Sequence, residues 1–460
     1  MYATIQVRIK VSDAVIDYLT YQCRQSNNLI NSAIYHIKQA HFEDCPRGEY
    51  FKDDEFRSGS KLQRVKTARY LDLAAKFKDN FNYKSLGGQS AQQTLKSVAE
   101  SFTSYNGILA KFFQGEATKP KMPRYRTKGG LAPIAYPFQA VQFDIETGMC
   151  RLPVSLENGT DVKEIMGVKE VWINGCVGIK PSQICEVRIL PKGNEFYAEY
   201  VYEYGNQGIS CSLNLDHTQA LGIDHGGQNW LTCVSTLGKS FIIDGRKLKS
   251  MNQLYNKRVA SIKEGKAQDF WNTQLASMTE KRNRQMRDAI NKTARFLVNH
   301  CLENRIGVII FGWNKGQKDG SNMGKRNNQN WVQIPTGRLK TRIQQLCEAQ
   351  GIQFVETEES YTSKTSFLDN DFLPTFGEKP ESWKPSGKRV KRGQYKTAQG
   401  FLINADCNGA ANILRKVATQ LGLNLVKVGR AVLNLPKRYE SFNGLSKSYR
   451  KRCEVCLQTA

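Results

Sequence analysis

The 460 residues predict several domains of mixed class: a helical one first, a strand-rich one next and an α/β one last. Three features carry that expectation. Apolar residues recur at three- to four-residue spacing through the first hundred positions. Short alternating segments follow as far as residue 204. Beyond residue 216, buried-strand patterns take turns with long helical ones. The length leaves room for about two to four domains and a well-buried core.

Composition narrows the class. Hydrophobic residues make up 40% and charged residues 24%, as in a folded chain rather than a disordered one. The 67 Lys and Arg against 42 Asp and Glu leave a formal charge of +25. Such an excess repels itself unless it meets a polyanion, and counterion release rewards many spread phosphate contacts, which makes nucleic acid the expected partner. A ribosome-associated protein or a membrane-surface binder is the bland alternative. No apolar run approaches the roughly 18 residues of a spanning helix, so no membrane partner is expected. The opening MYATIQVRIKVSD lacks the apolar core of a secretory signal. The 12 cysteines then read as reduced thiols of a cytoplasmic protein. Cys453 and Cys456 form a lone CxxC pair, with no second pair to complete a zinc site.

Residues 1–11 alternate as a half-exposed strand that is free to join a later sheet. A helical domain is expected over 12–115, with Val15, Leu19, Cys23, Ile30, Ile34 and Ile37 on one face and Leu95, Val98, Phe102, Tyr105, Leu109 and Phe112 on another. The polar stretch from Pro46 to Lys61 reads as a loop. In residues 118–128, Pro120 and Pro123 break helix, and Lys119, Lys121, Arg124 and Arg126 surround Tyr125. That is either a solvated linker or an extended basic segment on a nucleic-acid backbone with an aromatic to stack. The rest of 116–214 reads as a small antiparallel β-barrel or sheet.

From 215 to 421 the order is strand, hairpin, long helices, strand, helix, strand and helix. IGVIIFGW and GIQFVET read as buried strands. The long helix is amphipathic, and Lys281, Arg282, Arg284 and Arg287 are available to phosphates. Residues 369–400 form a basic insertion in which Lys388, Arg389, Lys391 and Arg392 make either a mobile phosphate-binding loop or a merely solvated one. Residues 422–460 alternate apolar and basic positions without a clear period, and partial disorder is expected there.

Carboxylates stand at the ends of buried elements in three places. Asp224 follows Leu221-Gly222-Ile223, Glu358 and Glu359 follow GIQFVET, and Asp406 opens a helix. Converging strand ends and helix starts make a hard oxygen-ligand site suited to Mg²⁺, and two such ions clamp the attacking water and the leaving 3′-oxygen of a phosphodiester. Each residue also has a plain reading: Asp224 as a turn former, Asp406 as an N-cap, the glutamates as a solvated strand end. The order of elements and acids together is the layout of an RNase H-like fold.

The motifs are more specific. GIDHGGQNWLTCV resembles the first nuclease motif, Gly-Ile-Asp-x-Gly, of the TnpB (OrfB-type) proteins. SYTSKTS resembles that family's Tyr-Thr-Ser block, NADCNGAAN its closing Asp-x-Asn-x-Ala-x-Asn block, and PKMPRYR the motif joining its helical region to its β-domain. The likeness runs from about residue 118 to 417. It implies a transposon-associated bacterial effector, related to type V CRISPR effectors, with a helical recognition lobe, a wedge-like β-barrel and a RuvC-type domain. Such a protein binds a guide RNA derived from the transposon end, recognises a short motif beside its double-stranded DNA target and cuts with Mg²⁺.

Two departures stand out. Phe311 and Gly312 occupy the place of the family's usual strand-end glutamate, so either the nuclease is dead or Glu358 or Glu359 supplies the acid from the neighbouring strand. Adjacent strand residues face opposite ways, so at most one of the two points at a metal, and Glu359 is favoured. The paired cysteines that most relatives carry before the last aspartate are missing, so no structural zinc is expected. A nuclease-inactive guided binder is the alternative reading, and a directly acting transposase is a more distant one.

Overall fold

The computed structural model describes residues 2–44, 48–52, 55–59, 64–65, 69–154, 166–176, 178–193, 195–203, 214–314 and 334–440. They form two compact units divided between Gln207 and Gly208, each mixed in helix and strand.

In the first unit, strand β1 (Tyr2–Arg8) leads into helix α1 (Asp13–Asp44), strands β2 (Gly48–Lys52) and β3 (Glu55–Gly59), and helices α2 (Tyr70–Phe77), α3 (Phe81–Leu86) and α4 (Gly88–Phe113). Leu19, Cys23, Ile34 and Ile37 of α1 are buried against Leu95, Val98, Phe102 and Leu109 of α4 in one core, as their spacing requires. The stretch read as a loop contains the antiparallel pair β2–β3. Its β-prone Tyr50, Phe51 and Phe56 outweigh its polar composition. Strands β4 (Ile134–Pro137), β5 (Gln142–Phe143), β6 (Met149–Leu152), β7 (Val171–Asn174), β8 (Ile184–Lys192) and β9 (Glu195–Glu203) complete two antiparallel sheets, ordered β1-β9-β8-β4 and β5-β6-β7. The first strand does join, pairing with β9 from Tyr2 opposite Glu203 to Arg8 opposite Tyr197.

The second unit is built on strands β10 (Asp216–His225), β11 (Asn229–Ser235) and β12 (Lys239–Asp244), then helices α5 (Arg246–Lys263) and α6 (Thr273–Glu303). Strand β13 (Ile306–Gly312), helix α7 (Thr336–Glu348) and strand β14 (Gln353–Thr357) follow. After them come β15 (Lys388–Lys391), β16 (Gln394–Lys396), β17 (Leu402–Asn404), α8 (Ala405–Leu421), α9 (Arg430–Asn434) and β18 (Lys437–Glu440). Six strands make one sheet in the order β14-β13-β10-β11-β12-β18. The run β10-β11-β12 is antiparallel, and β13, β14 and β18 add in parallel.

Strand alternation sorts the two faces of this sheet. Leu221, Ile223, Ile309 and Phe311 pack with α6 and α7 in one core. Ala220, Val308 and Ile310 pack with α8 on the opposite face. Gly222, and with it Asp224, faces α8. A Cβ at Gly222 would lie 2.6 Å from Leu414 Cγ and 2.8 Å from the Ala410 carbonyl oxygen. A Cβ at Gly409 would lie 2.7 Å from Asp224 Oδ2. Glycine on both sides is what lets helix and strand touch.

Three expectations are corrected. GIQFVET is not fully buried: β14 is the sheet edge, and Gln353 and Glu356 are exposed. The basic insertion is not a loop throughout but contains the antiparallel pair β15–β16, which β17, just after it, extends to a three-stranded sheet. Tyr395 anchors it, fully buried, with its hydroxyl donating to the Lys364 carbonyl at 2.8 Å. Asp369 Oδ2 adds hydrogen bonds from Ser366 Oγ (2.6 Å) and Ala398 N (2.7 Å). The stretch 422–440 is ordered, because α9 packs under β17 and β18 extends the sheet. Residues 441–460, including Cys453 and Cys456, lie outside the described residues.

Gly222→Ala is expected to destabilise the second unit by about 1–3 kcal/mol, the usual range for overpacking against rigid backbone. Gly107→Ala, at an exposed site in α4 with open space around it, should gain roughly 0.5–1 kcal/mol. Urea unfolding of both variants checks the contrast in sign.

Candidate functional site

Asp224 ends the apolar part of β10, across the ladder from buried Thr232. Ile223 pairs with Phe311, which sets Gly312 beside Asp224. Of the two residues at the expected glutamate position, Phe311 faces the α6 core and only Gly312 faces α8. The space beside Gly312 is taken. A Cβ there would meet Ile413 Cδ1 at 2.5 Å, Glu359 Cγ at 2.9 Å and Glu359 Oε1 at 3.1 Å.

The two glutamates lie just past the end of β14, outside the strand, and part because their partners differ. Glu359 turns inward, its backbone N–H donating to Asn314 Oδ1 at 3.0 Å. Its Oε1 lies 3.0 Å from Nε2 of buried His225. Glu358 turns away to pair with Lys416 and accepts from Ser360 N at 3.2 Å. Although burial opposes it, the hydrogen bonds from Lys416 and Ser360 hold the Glu358 carboxyl below its ordinary value.

Asp406 is not the N-cap. Asn404 caps α8, its side chain accepting from the backbone N–H of Asp406 and Cys407, both at 3.0 Å. The Asp406 side chain is thus left for other work. Oδ2 accepts from Asn229 Nδ2 at 2.7 Å, and Oδ1 from Arg389 Nη2 at 2.8 Å. The remaining asparagines of the motif are structural. Asn408 donates to the Thr365 carbonyl at 2.7 Å and accepts from Phe367 N at 3.0 Å. Asn412 donates to the carbonyls of Thr362 and Thr365, each at 2.8 Å. Buried amides therefore strap the Tyr-Thr-Ser turn to α8, which carries Glu359 to the site.

Burial first, then the charges of Glu359 and Asp406, push the Asp224 carboxyl well above its usual range. Glu359 Oε1 is buried without an aligned hydrogen-bond donor. Crowded carboxylates with an unsatisfied oxygen suit a hard divalent cation, which would relieve both costs. The donor set fits in kind. Among the described residues, however, no group of three His, Cys, Asp or Glu is already drawn together as a metal cage, because Asp406 is turned to Arg389 and Asn229.

Asp224 and Asp406 line a cleft of about 420 Å³ together with Arg389 and Arg392 from the insertion sheet. Arg246, Arg438 and Asn229 line it too, and the sequence reading missed them. So did it miss His225, whose place directly after Asp224 was the available signal. Lys388 and Lys391 are exposed on β15.

The other basic candidates divide. Lys281 is exposed, and Arg284 and Arg287 are half-buried. Arg282 is not free for phosphate: its Nε donates to Asn252 Oδ1 at 2.9 Å and its guanidinium lies over the Tyr255 ring, stitching α6 to α5. In the first unit, Lys119, Lys121 and Arg124 are exposed. Tyr125 is half-exposed, with Lys38 Nζ 4.4 Å from its ring centre. Arg126 spends donors on Asn27 Oδ1 and the Leu131 carbonyl, both at 3.0 Å, pinning the segment along α1. Tyr125, Arg126 and Lys128 line a groove of about 740 Å³ with Tyr35, His36 and Phe77. No helix among the described residues is long and apolar enough to cross a membrane.

Residues 200–316 match the family model OrfB_IS605, a probable transposase, and residues 337–413 match the Cas12f1-like TNB domain. No curated protein matches the chain. Among solved structures, the chain is similar to a Cas12f1–sgRNA–target DNA complex at 15% identity, covering 90% of this chain and 98% of that one, with a TM-score of 0.31. A CRISPR-Cas12f ternary complex is similar at 13% identity over 87% and 80% of the two chains, with a TM-score of 0.30. The mini RNA-guided endonuclease CRISPR-Cas_phi3 is similar at 12% over 90% and 92%, with a TM-score of 0.43. The two sequence matches follow one another between residues 200 and 413 and include Asp224 in the first and Glu359 and Asp406 in the second. Over residues 200–316 and 337–413 this chain is thus similar to the OrfB-type, TnpB-like and Cas12f1-like families.

Proposed function

We propose that the chain is an RNA-guided DNA endonuclease whose second unit is an RNase H-like domain of the RuvC type, acting with Mg²⁺. One observation carries the catalytic part: Gly312 leaves beside Asp224 the space that Glu359 fills from the adjacent strand end. The strand order supports the fold reading, with the first strand central, an antiparallel hairpin on one side and two parallel strands on the other. The +25 charge and the family match support guide RNA and a flanked double-stranded DNA target as partners.

Asp224, Glu359 and Asp406 would hold Mg²⁺ through carboxylate oxygens. The metal supplies activation of water and neutralisation of charge on the phosphate. Water oxygen joins phosphorus as the bond to the 3′-oxygen breaks, and that oxygen leaves with a proton. Arg389 and Arg392 face the same cleft and can hold the phosphate oxygens, Arg389 exchanging Asp406 for substrate. Buried His225 abuts Glu359 and limits its carboxylate to one side.

The test is plasmid cleavage by protein purified with its co-expressed flanking transcript, with Mg²⁺ or with EDTA. Guide-dependent cutting that EDTA removes is expected, whereas tight guide-dependent binding without cutting would assign the inactive binder. Asp224→Asn and Glu359→Gln should each slow single-turnover cleavage by about a hundredfold or more. Glu358→Gln, which loses only a partly exposed pair with Lys416, should stay within about threefold. Equal losses at both glutamates would sink the assignment. Gly312→Ala, which forces Glu359 aside, should cost about tenfold in rate while leaving RNA binding intact. Arg392→Gln should weaken single-stranded DNA binding and lower the salt slope by about one.

A further inference from the structure

We propose that the C-terminal strand β18 is a working part of the acidic centre: Arg438 is a positioning residue that sets the Asp406 carboxylate through the amide of Asn229. The proposal deepens the endonuclease reading and rests on Asp406 being a metal ligand.

The contacts form one continuous chain. Asp244, buried at the end of β12, accepts from Arg438 Nη1 at 3.1 Å. The same Nη1 donates to Asn229 Oδ1 at 2.9 Å. Asn229 Nδ2 donates to Asp406 Oδ2 at 2.7 Å. The ends of the chain dictate its middle. A guanidinium only donates and an ionised carboxylate only accepts, so the Asn229 amide has one allowed orientation, oxygen toward Arg438 and nitrogen toward Asp406. Turned over, it would set two donors together at one end and two acceptors together at the other.

Asn229 thereby claims Oδ2 of Asp406 and leaves Oδ1, the oxygen now on Arg389, as the one to exchange for a cation. Parallel pairing places Arg438 where this works, since Ile242 faces Arg438 and Asp244 faces Glu440 across β12 and β18. Arg246 shares Asp244, with Nε at 2.8 Å and Nη2 at 2.5 Å, and lines the same cleft. Lys437 is the internal control, exposed on the same strand with its ammonium 5.1 Å from the Tyr439 ring centre.

The experiment measures Mn²⁺ binding by calorimetry on the full chain, alongside guide-dependent cleavage titrated with Mg²⁺. Arg438→Met should weaken Mn²⁺ binding and raise the half-saturating Mg²⁺ about tenfold, Arg438→Lys should recover most of the loss, and Lys437→Gln, next to it on β18, should stay within about twofold. RNA binding should not change. An Arg438 that only fastens the edge strand would lower the melting temperature in the Met variant and leave metal affinity at the wild-type value, which overturns the proposal. If the wild type binds no more Mn²⁺ than Asp224→Asn, the acidic-centre reading fails and takes this one with it. If the wild type binds and Arg438→Met binds equally well, the relay alone is wrong.

Discussion

Helix α8 lies on strand β10 at a distance that two glycines permit and no side chain would. Gly222 admits Leu414 and the Ala410 carbonyl, and Gly409 admits the Asp224 carboxylate. Much else depends on this contact. It brings Asp406, in the first turn of α8, to the open end of β10, and it holds Ile413 against Gly312. It also sets Asn408 and Asn412 over the turn that delivers Glu359. A wider spacing would separate all three acids while leaving the sheet intact.

The cost of the arrangement is electrostatic. Burial, and then the nearby charges of Glu359 and Asp406, raise the Asp224 carboxyl, and Arg389, paired with Asp406, partly offsets this. The same arginine steadies the Asp406 carboxylate and, on the proposed reading, would have to leave it for a cation. The folded sheet of the insertion matters for that reason. Tyr395 and Asp369 fix the β15-β16 hairpin to the unit, so Arg389 arrives from a rigid support instead of a tether.

Much of this was legible in the sequence because it is local. Period and order gave β10 to β14 and the helices between them, and chain position gave Asp224 and Asp406. What escaped depends on distant partners. The alternation rule said that one glutamate at most faces inward, but the choice rests on Lys416, 58 residues after Glu358, and on the vacancy at Gly312. The strand at 437–440 has no period of its own, since parallel pairing with β12 supplies its order. Arg282 looked available on a helical wheel, yet α5 takes its guanidinium. Asp406 and Asn404 are equal candidates for a cap by residue type, and only the hydrogen bonds distinguish them.

The vacancy at Gly312 also constrains how such a site arises. On the nuclease reading, a sequence with its acid at position 312 and this sequence differ by two substitutions. Gaining Glu359 first sets its side chain into space that a residue at 312 still occupies, with Cβ and Cγ 2.9 Å apart. A side chain at 312 and Glu359 in its present place therefore exclude one another: on this backbone the two positions can be exchanged but not filled together.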